Sequence, residues 1–464
     1  MYVCGPTVYG LLHVGNFRGP IFFNLVRNWL EKSGYKVRFA LNYTDIDDKI
    51  INKAKTEGVA ASDVAIKYIT EFRNDFAFLE LKPHDFNPKA TDHIGSIIDL
   101  IRELEVGRKA YVAGGDVIYA IDEFSGYGKL SHRDPEDLRA GSRVEIDYNK
   151  RNPLDFVLWK ATKPGEPSWN SPWGQGRPGW HIECSAMIRA LFGDQIDIHG
   201  GGSDLIFPHH ENEIAQSEGA SHKPPFVKYW MHNNMLTFGA QKMSKSSGNI
   251  RTAREFMSEY NSEILKYIML NVHYRSLLDF SKDAVERALS GLARIYSAMA
   301  CAEKIRTAGA LGSDFRGQDV KFETLLSDAN NGVADALNDD FNTPEVFARI
   351  FEVVRGFNSL CRPTVKPSER ELNISDLFLN WLRKTGQMMA LFQKPAISFL
   401  RELDDMLLVQ KGIRREDVNQ LVMARSQHRA ARDFQQADQL RKQLVEMGIA
   451  IYDSPQGTEW EVQK

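Results

Sequence analysis

Between Phe207 and Gln216 the chain reads FPHHENEIAQ, which sets His209, His210, Glu211 and Glu213 within five consecutive positions. Side chains of this kind at this density either hold a metal ion or cap the start of a helix. An apolar, strand-like run precedes the stretch and a helical pattern follows it. If a helix begins here, His209 and Glu213, four positions apart, leave it from one face. Zinc takes cysteine, histidine and carboxylate ligands in a tetrahedron, so this pair would be half of a site. The chain has four cysteines, Cys4, Cys184, Cys301 and Cys361, too few for a disulfide scaffold in 464 residues. Cys4 and Cys184 would complete the tetrahedron, but both are remote from the helix in sequence, and His181, three positions before Cys184, competes with them. Spacing alone leaves an ordinary polar helix start standing beside a metal site.

Two further stretches offer phosphate chemistry. HVGN, His13 to Asn16, follows a strand-like opening and brings an imidazole, a glycine and an amide to the start of a helix. Free backbone N–H groups and the helix dipole favour phosphate there, although a plain glycine-containing turn has the same sequence. KMSKS, Lys242 to Ser246, spaces two lysines around small residues and leads into SGN, a loop able to set ammonium groups on a polyphosphate. Gly200, Gly201 and Gly202 follow the strand-like QIDIH and would let a ligand approach the backbone closely.

The elements that must position these residues begin as strand, helix, strand: MYVCG, IFFNLVRNWLEKSG, YKVRFALNYTD. That order predicts a parallel βαβ unit, with Gly34 just past the helix end. Ligands of such sheets gather at the carboxyl ends of the strands. From about Gly141 to Gly179 the chain turns rich in Pro, Gly and Trp, which predicts a loop-rich insertion whose tryptophans need packing partners. Beyond about Ser276 the apolar spacing is helical until IAIYD near the end, so a helical bundle and a small terminal α+β module are expected. Hydrophobic residues make up 43% and charged residues 26%, with a formal net charge of -3; this range is that of a soluble globular protein, and any nucleic-acid contact must use a local basic surface. No apolar run approaches the ~20 residues of a membrane span, and the amino terminus is no secretory signal, so a cytoplasmic location is expected.

HVGN, a distant KMSKS and an α/β core between them resemble the signatures of class I aminoacyl-tRNA synthetases. More narrowly, YVCGPTVY, NYTDIDDKI, RPGWHIECSAM, DIHGGGSDLIFPHHENEIAQ, KMSKSSGN and DDFNTPE, in this order, resemble the cysteinyl-tRNA synthetase family across nearly the whole chain. The resemblance implies an α/β fold: a Rossmann-like parallel-sheet catalytic domain split into 1–92 and 176–233 by an inserted connective segment, 93–175. A KMSKS-bearing stem-contact region at 234–290, a helical bundle at 291–403 and an anticodon-binding module at 404–464 would follow. It implies ATP-dependent activation of cysteine, with magnesium, and transfer to tRNA(Cys) by a monomer. One zinc per chain would be held by Cys4, Cys184, His209 and Glu213, leaving His181 and His210 for other roles. Zinc suits the task, because cysteine and serine differ by one atom and a pocket separates such pairs by only a few kcal/mol at most. A thiol binds zinc as thiolate and an alcohol binds far more weakly.

The same resemblance assigns Thr44, Trp180 and Asp204 to the substrate's side chain and ammonium group, though Trp180 also suits a packed core. Gly15, Gly200, Gly201, Gly202 and Lys245 would hold ATP, and His13, Asn16, Lys242 and Lys245 would stabilise charge on its phosphates. Arginines of the last module and Trp460 are candidate tRNA contacts. There are departures. Asn16 replaces a residue able to carry charge. Lys49 is present but Asn52 stands where a second lysine would support a persulfide side activity, so that activity is not expected. The family carries a longer segment ahead of YVCG, so either a missing leading segment or a late start is expected, and either bears on the packing and metal affinity around Cys4 and not on the identity of the site. The rival expectations are a ligase joining cysteine to a sugar amine, and a tRNA- or zinc-binding paralogue without catalysis.

Overall fold

The computed structural model describes residues 1–134, 150–238, 241–242, 252–309, 319–362, 366–454 and 457–464. The chain divides into two units, Met1–Arg254 with Tyr274–Leu278, and Glu255–His273 with Asp279–Lys464.

The first unit is built on a parallel sheet in the order Ala40–Leu41, Tyr2–Val3, Ile196–Gly202, Val227–Asn233. The helix Arg18–Lys32 joins the first strand to the second, which is the expected βαβ unit. Ser33 closes that helix, and Gly34 follows at φ 94°, a left-handed conformation open to a residue without Cβ. Tyr2 pairs with both Ala40 and His199, and Val3 with both Leu41 and Gly200. The strands therefore end side by side, and Cys4, residues 42–44 and residues 200–202 emerge along one edge.

Of the stretch from Gly141 to Gly179 expected to be loop-rich, residues 141–149 lie outside the described residues, and for the rest the expectation is corrected. Ala110–Ala113, Asp116–Tyr119, Phe156–Ala161, Gly174–Pro178 and Trp169–Ser171 form an antiparallel five-stranded sheet in that spatial order. Trp159 is fully buried in its core with Ile97, Leu104 and Leu158, and Trp169 and Trp173 pack against the same cluster. The glycines that suggested loops serve this packing: a Cβ on Gly176 would collide with the indole of Trp159. Composition is a poor guide where small residues make room for large ones.

The second unit is helical, as expected. Lys282–Ala308, Val320–Asn338, Thr343–Leu360, Glu369–Met389 and Ala396–Gln410 each bury one apolar stripe. Ser281 and Asp319 cap their helices, and Ser368 and Glu371 form a reciprocal capping box. Two further helices, Arg415–Ala430 and Phe434–Glu446, and the hairpin of Ile449–Ser454 with Gly457–Val462 share a small core of Leu408, Val418, Leu444, Ile449 and Val462. Trp460 packs on this core, donates its indole N–H to Asn419 Oδ1 at 2.9 Å and carries the Arg415 guanidinium 4.5 Å from its ring.

Within the insertion, the buried carboxylate of Asp155 accepts from Tyr111 Oη at 2.7 Å and from the backbone N–H groups of Ile121 at 3.0 Å and Asn152 at 3.1 Å. Asp155→Ala strands all three donors and is expected to destabilise the first unit by about 3 kcal/mol. A urea denaturation series checks this, with Asp155→Asn losing less because it keeps an acceptor oxygen.

Candidate functional site

Three separate segments deliver the sulfur, imidazole and carboxylate groups. Cys4 stands just beyond the strand Tyr2–Val3, its N–H bonded to Gly200 O at 3.0 Å. Cys184 is buried in the first turns of the helix Trp180–Phe192. His209 lies in the π-helical turn Ile206–His210, and Glu213 lies in the first turn of the helix Glu211–Ser221. Phe207 is extended, φ -136° and ψ 133°, so regular helix starts at Glu211, later than FPHHENEIAQ suggested. His209 and Glu213 share a face all the same, with Nε2 and Oε1 3.0 Å apart.

One donor atom from each of Cys4, Cys184, His209 and Glu213 lies within 4.8 Å of every other, and an overlapping group combines Cys4 and Glu213 with His199 and His210. The two sulfurs are 3.7 Å apart, and Cys4 Sγ is 3.7 Å from Glu213 Oε1. The far oxygen of Glu213 is held by His199 Nε2 at 2.8 Å, and His209 Nδ1 meets His181 Nδ1 at 3.1 Å. His210 reaches Cys4 Sγ with Nε2 at 3.3 Å and shares a hydrogen bond of 2.8 Å with His232 through Nδ1.

Charge follows from burial and from these contacts. Burial raises the Cys4 thiol, and its hydrogen bond to Cys184 adds to this, so Cys4 keeps its proton. The same hydrogen bond lowers Cys184 to about 6 against its burial, which makes it the thiolate of the pair. Burial would raise Glu213, but His199 and His209 override it and hold the carboxyl well below its usual range. Burial would lower His209, and Glu213 and Cys184 instead lift it to about 10. Burial takes His181 down to about 3 and His232 to about 4, leaving both neutral.

The remaining expected residues fall in several places. Trp180 is 39% exposed and stacks on His209 with ring centroids 4.4 Å apart, so it faces the site rather than the core. Thr44 is buried beside the first strand's continuation, bridged to Thr7. Asp204 is exposed in the 3-10 turn Ser203–Leu205. Gly15 lies within the 3-10 turn Val14–Phe17, where Asn16 Oδ1 accepts from His13 N–H at 3.0 Å. The amide of Asn16 thus stiffens the turn. At Gly200 a Cβ would collide with the ring of Phe23, and at Gly201 with Leu205. Lys242 belongs to the strand Gln241–Lys242, and Lys245 lies outside the described residues.

Sequence reasoning missed three contributors. His232 is buried near the carboxyl end of the strand Val227–Asn233, and His199 in the middle of its parallel neighbour Ile196–Gly202. Glu183, next to Cys184, is 1% exposed, and among the described residues neither of its oxygens has a hydrogen-bond partner. Burial, followed by Cys184 and Asp45, pushes its carboxyl well above the usual range. Glu211 does not cap its own helix: it accepts the backbone N–H groups of Leu130 at 3.2 Å and Ser131 at 2.8 Å. Tyr127 Oη donates to Asn212 Oδ1 at 2.5 Å, so residues 127–131 are tied to the helix that bears Glu213.

Residues 1–290 match the family described as tRNA synthetases class I (C) catalytic domain. That match spans more than half of the chain and places it among the class I aminoacyl-tRNA synthetases. Residues 332–393 match the DALR domain, and residues 415–460 match the cysteinyl-tRNA ligase anticodon binding domain. The cysteine-tRNA ligase of Bdellovibrio bacteriovorus is 57% identical over 464 residues, which is 100% of this chain and 95% of that protein. That of Geobacter sp. strain M21 is 43% identical over 462 residues with the same coverage. The chain belongs to the cysteinyl-tRNA ligase family. Among solved structures, Mycobacterium tuberculosis methionyl-tRNA synthetase in complex with methionyl-adenylate shares the fold, with a TM-score of 0.61 at 15% identity over 89% of this chain and 94% of that one.

Glu211→Ala should release the backbone of Leu130 and Ser131 from the helix Glu211–Ser221. Amide exchange at Leu130 and Ser131 is expected to rise by at least about tenfold. Unchanged protection there, measured by hydrogen exchange, would show that other contacts hold the segment.

Proposed function

We propose that the chain is a cysteine-tRNA ligase that reads the thiol of cysteine through zinc held by Cys4, Cys184, His209 and Glu213. The observation that carries this is the convergence of these four donors from three chain segments that are remote from one another in sequence. Zinc with sulfur ligands at about 2.3 Å sets two of them about 3.8 Å apart in a tetrahedron. The separation of 3.7 Å between Cys4 and Cys184 fits that figure. Two sulfurs also make this donor set softer than the overlapping one with His199 and His210. Those two histidines then serve as supports, His199 orienting the carboxylate through its far oxygen. Zinc bound there would supply a Lewis-acidic centre that takes a thiolate far better than an alcohol, separating cysteine from serine by chemistry rather than by shape.

The protein's own residues supply the rest. Trp180, stacked on His209, walls the thiol side of the pocket. Thr44 and Asp204 take the substrate's polar end, Asp204 offering a carboxylate to its ammonium group. Gly15, Gly200, Gly201 and Gly202 border the nucleotide. The cysteine carboxylate attacks the α-phosphorus of magnesium-bound ATP in line; an O–P bond forms, the bond to the leaving oxygen breaks, and pyrophosphate departs. His13, Lys242 and Lys245 oppose the charge that grows on the phosphates, while Asn16 holds His13 in place. The terminal ribose hydroxyl of tRNA(Cys) then attacks the acyl carbon and releases AMP. The anticodon-domain match at residues 415–460 supports tRNA as the acceptor and gives the sugar-amine reading no support. With this reading go a monomer and a cytoplasmic location, and among the described residues no helix is long and apolar enough to cross a membrane.

Metal content and ATP-pyrophosphate exchange test the proposal together. The purified chain should carry close to one zinc, and exchange should depend on cysteine and not on serine. His209→Ala and Cys184→Ala should lower metal affinity by more than the roughly 10–100-fold expected when only a support such as His199 is removed. A chain that exchanges with cysteine at full rate when stripped of metal would overturn the zinc assignment.

A further inference from the structure

We propose that Arg18 is a positioning residue for adenylate formation, its buried guanidinium fixing the backbone that carries Lys242 relative to the turn that carries His13. This rests on the reaction proposed above and adds to it a residue that touches neither substrate. Arg18 opens the helix Arg18–Lys32 directly after the HVGN turn and is 1% exposed. A guanidinium so deeply placed needs acceptors for its N–H groups. Four of them are backbone carbonyls: Nη1 donates to Asn234 O and Met235 O, both at 2.8 Å, and Nη2 donates to Ser276 O at 2.6 Å and Tyr274 O at 3.3 Å.

These carbonyls mark the two ends of one excursion. At Asn234 and Met235 the chain has just left the strand Val227–Asn233, and at Tyr274 it rejoins the first unit after residues 255–273. One side chain therefore grips both the outgoing and the returning backbone. Directly after the clamped Met235, Leu236–Phe238 pairs antiparallel with Gln241–Lys242, with Thr237 opposite Lys242. The backbone of Lys242 is thus registered against a residue two positions from the clamp. His13, five positions before Arg18, is held from its other side by the bridge to Thr252, and Leu12 O accepts from Ala253 N–H at 2.9 Å. Both motifs that oppose phosphate charge are therefore referred to the first turn of one helix. A lysine in place of Arg18 keeps the charge, but its three donors radiate from one nitrogen and cannot span carbonyls that the planar fork reaches from two.

The same helix contains its own control. Arg27 is 3% exposed and equally well bonded, but to Pro83 O at 2.6 Å, to both oxygens of Asp85 at 3.1 Å and to Glu31 at 3.2 Å, none of which belongs to either motif. Arg18→Lys and Arg27→Lys both disturb a buried guanidinium, so stability alone does not distinguish them. The experiment is cysteine-dependent ATP-pyrophosphate exchange, with rates expressed per active site counted by the burst of adenylate, so that unfolded molecules drop out. Arg18→Lys should lose about 10–100-fold in kcat, the scale of a misplacement near 1 Å, with the KM for cysteine within about twofold of the parent. Arg27→Lys should keep its kcat within about twofold. An Arg18→Lys chain as fast per site as the parent would overturn the positioning role, as would an equal loss in Arg27→Lys. Absence of cysteine-dependent exchange in the parent would overturn the proposed reaction instead, and the positioning role with it.

Discussion

A carboxylate with no exposed surface sets the terms for the first unit. Glu213 is fully buried, and a charge so placed is stable only if hydrogen bonds and opposite charge replace the water it has lost. His209 supplies both at one oxygen and His199 bonds the other, at 3.0 Å and 2.8 Å. The two histidines come from different elements, a π-helical turn and a central strand, so the carboxylate is satisfied only when strand and turn are in place together. The sheet register carries the same demand further. Tyr2 lies opposite His199, which fixes where Cys4 emerges two residues later. A slip of one residue between these strands would turn His199 to the wrong face and carry Cys4 away with it. The donor cluster and the strand register are in this sense one constraint.

The surroundings of the cluster explain why it tolerates so many polar groups. Gln216 donates to His181 O at 2.8 Å and to Ser185 Oγ at 3.0 Å, tying the helix Glu211–Ser221 to the helix Trp180–Phe192. Trp230 stacks on His199 with centroids 4.7 Å apart, and Tyr2 meets that imidazole edge-on. Aromatic faces on one side and amide bonds on the other leave the imidazoles few rotamers, which holds ligand-type side chains ready at a set geometry. Residues 127–131 complete this shell from the insertion through Glu211 and Asn212.

How far all this was legible in the sequence differs by element. The βαβ opening, the Gly34 helix end and the helical second unit follow from local periodicity, and local periodicity is what a sequence displays. The shared face of His209 and Glu213 was legible for the same reason, although the regular helix begins only at Glu211. Cys4 and Cys184 were assigned by resemblance alone, because 180 positions separate them and nothing local marks two distant thiols as neighbours. His199 and His232 went unnoticed because they sit inside apolar strands, where a histidine looks like any other buried residue until the neighbouring helix is known. The insertion misled because Gly176 exists to admit Trp159, a contact across strands that composition reports only as an abundance of glycine.

The strand Ile196–Gly202 shows how two chemistries are kept apart and yet linked. Successive side chains on a strand point to opposite faces. His199 turns toward Glu213 on the face covered by the helix Glu211–Ser221, and a Cβ at Gly201 would meet His210 on that same face. Gly200, between them, turns the other way, where Phe23 of the helix Arg18–Lys32 fills the space a side chain would need. One strand thus presents the proposed metal centre on one face and packs the helix that follows HVGN on the other, the double cover expected of a buried parallel sheet. The glycine run that suggested room for a nucleotide is, at Gly200, first of all room for Phe23. A side chain added at Gly200 would press on Phe23 and one added at Gly201 on Leu205 and His210, so two neighbouring positions of one strand bear on the two faces separately while its backbone holds both in one register.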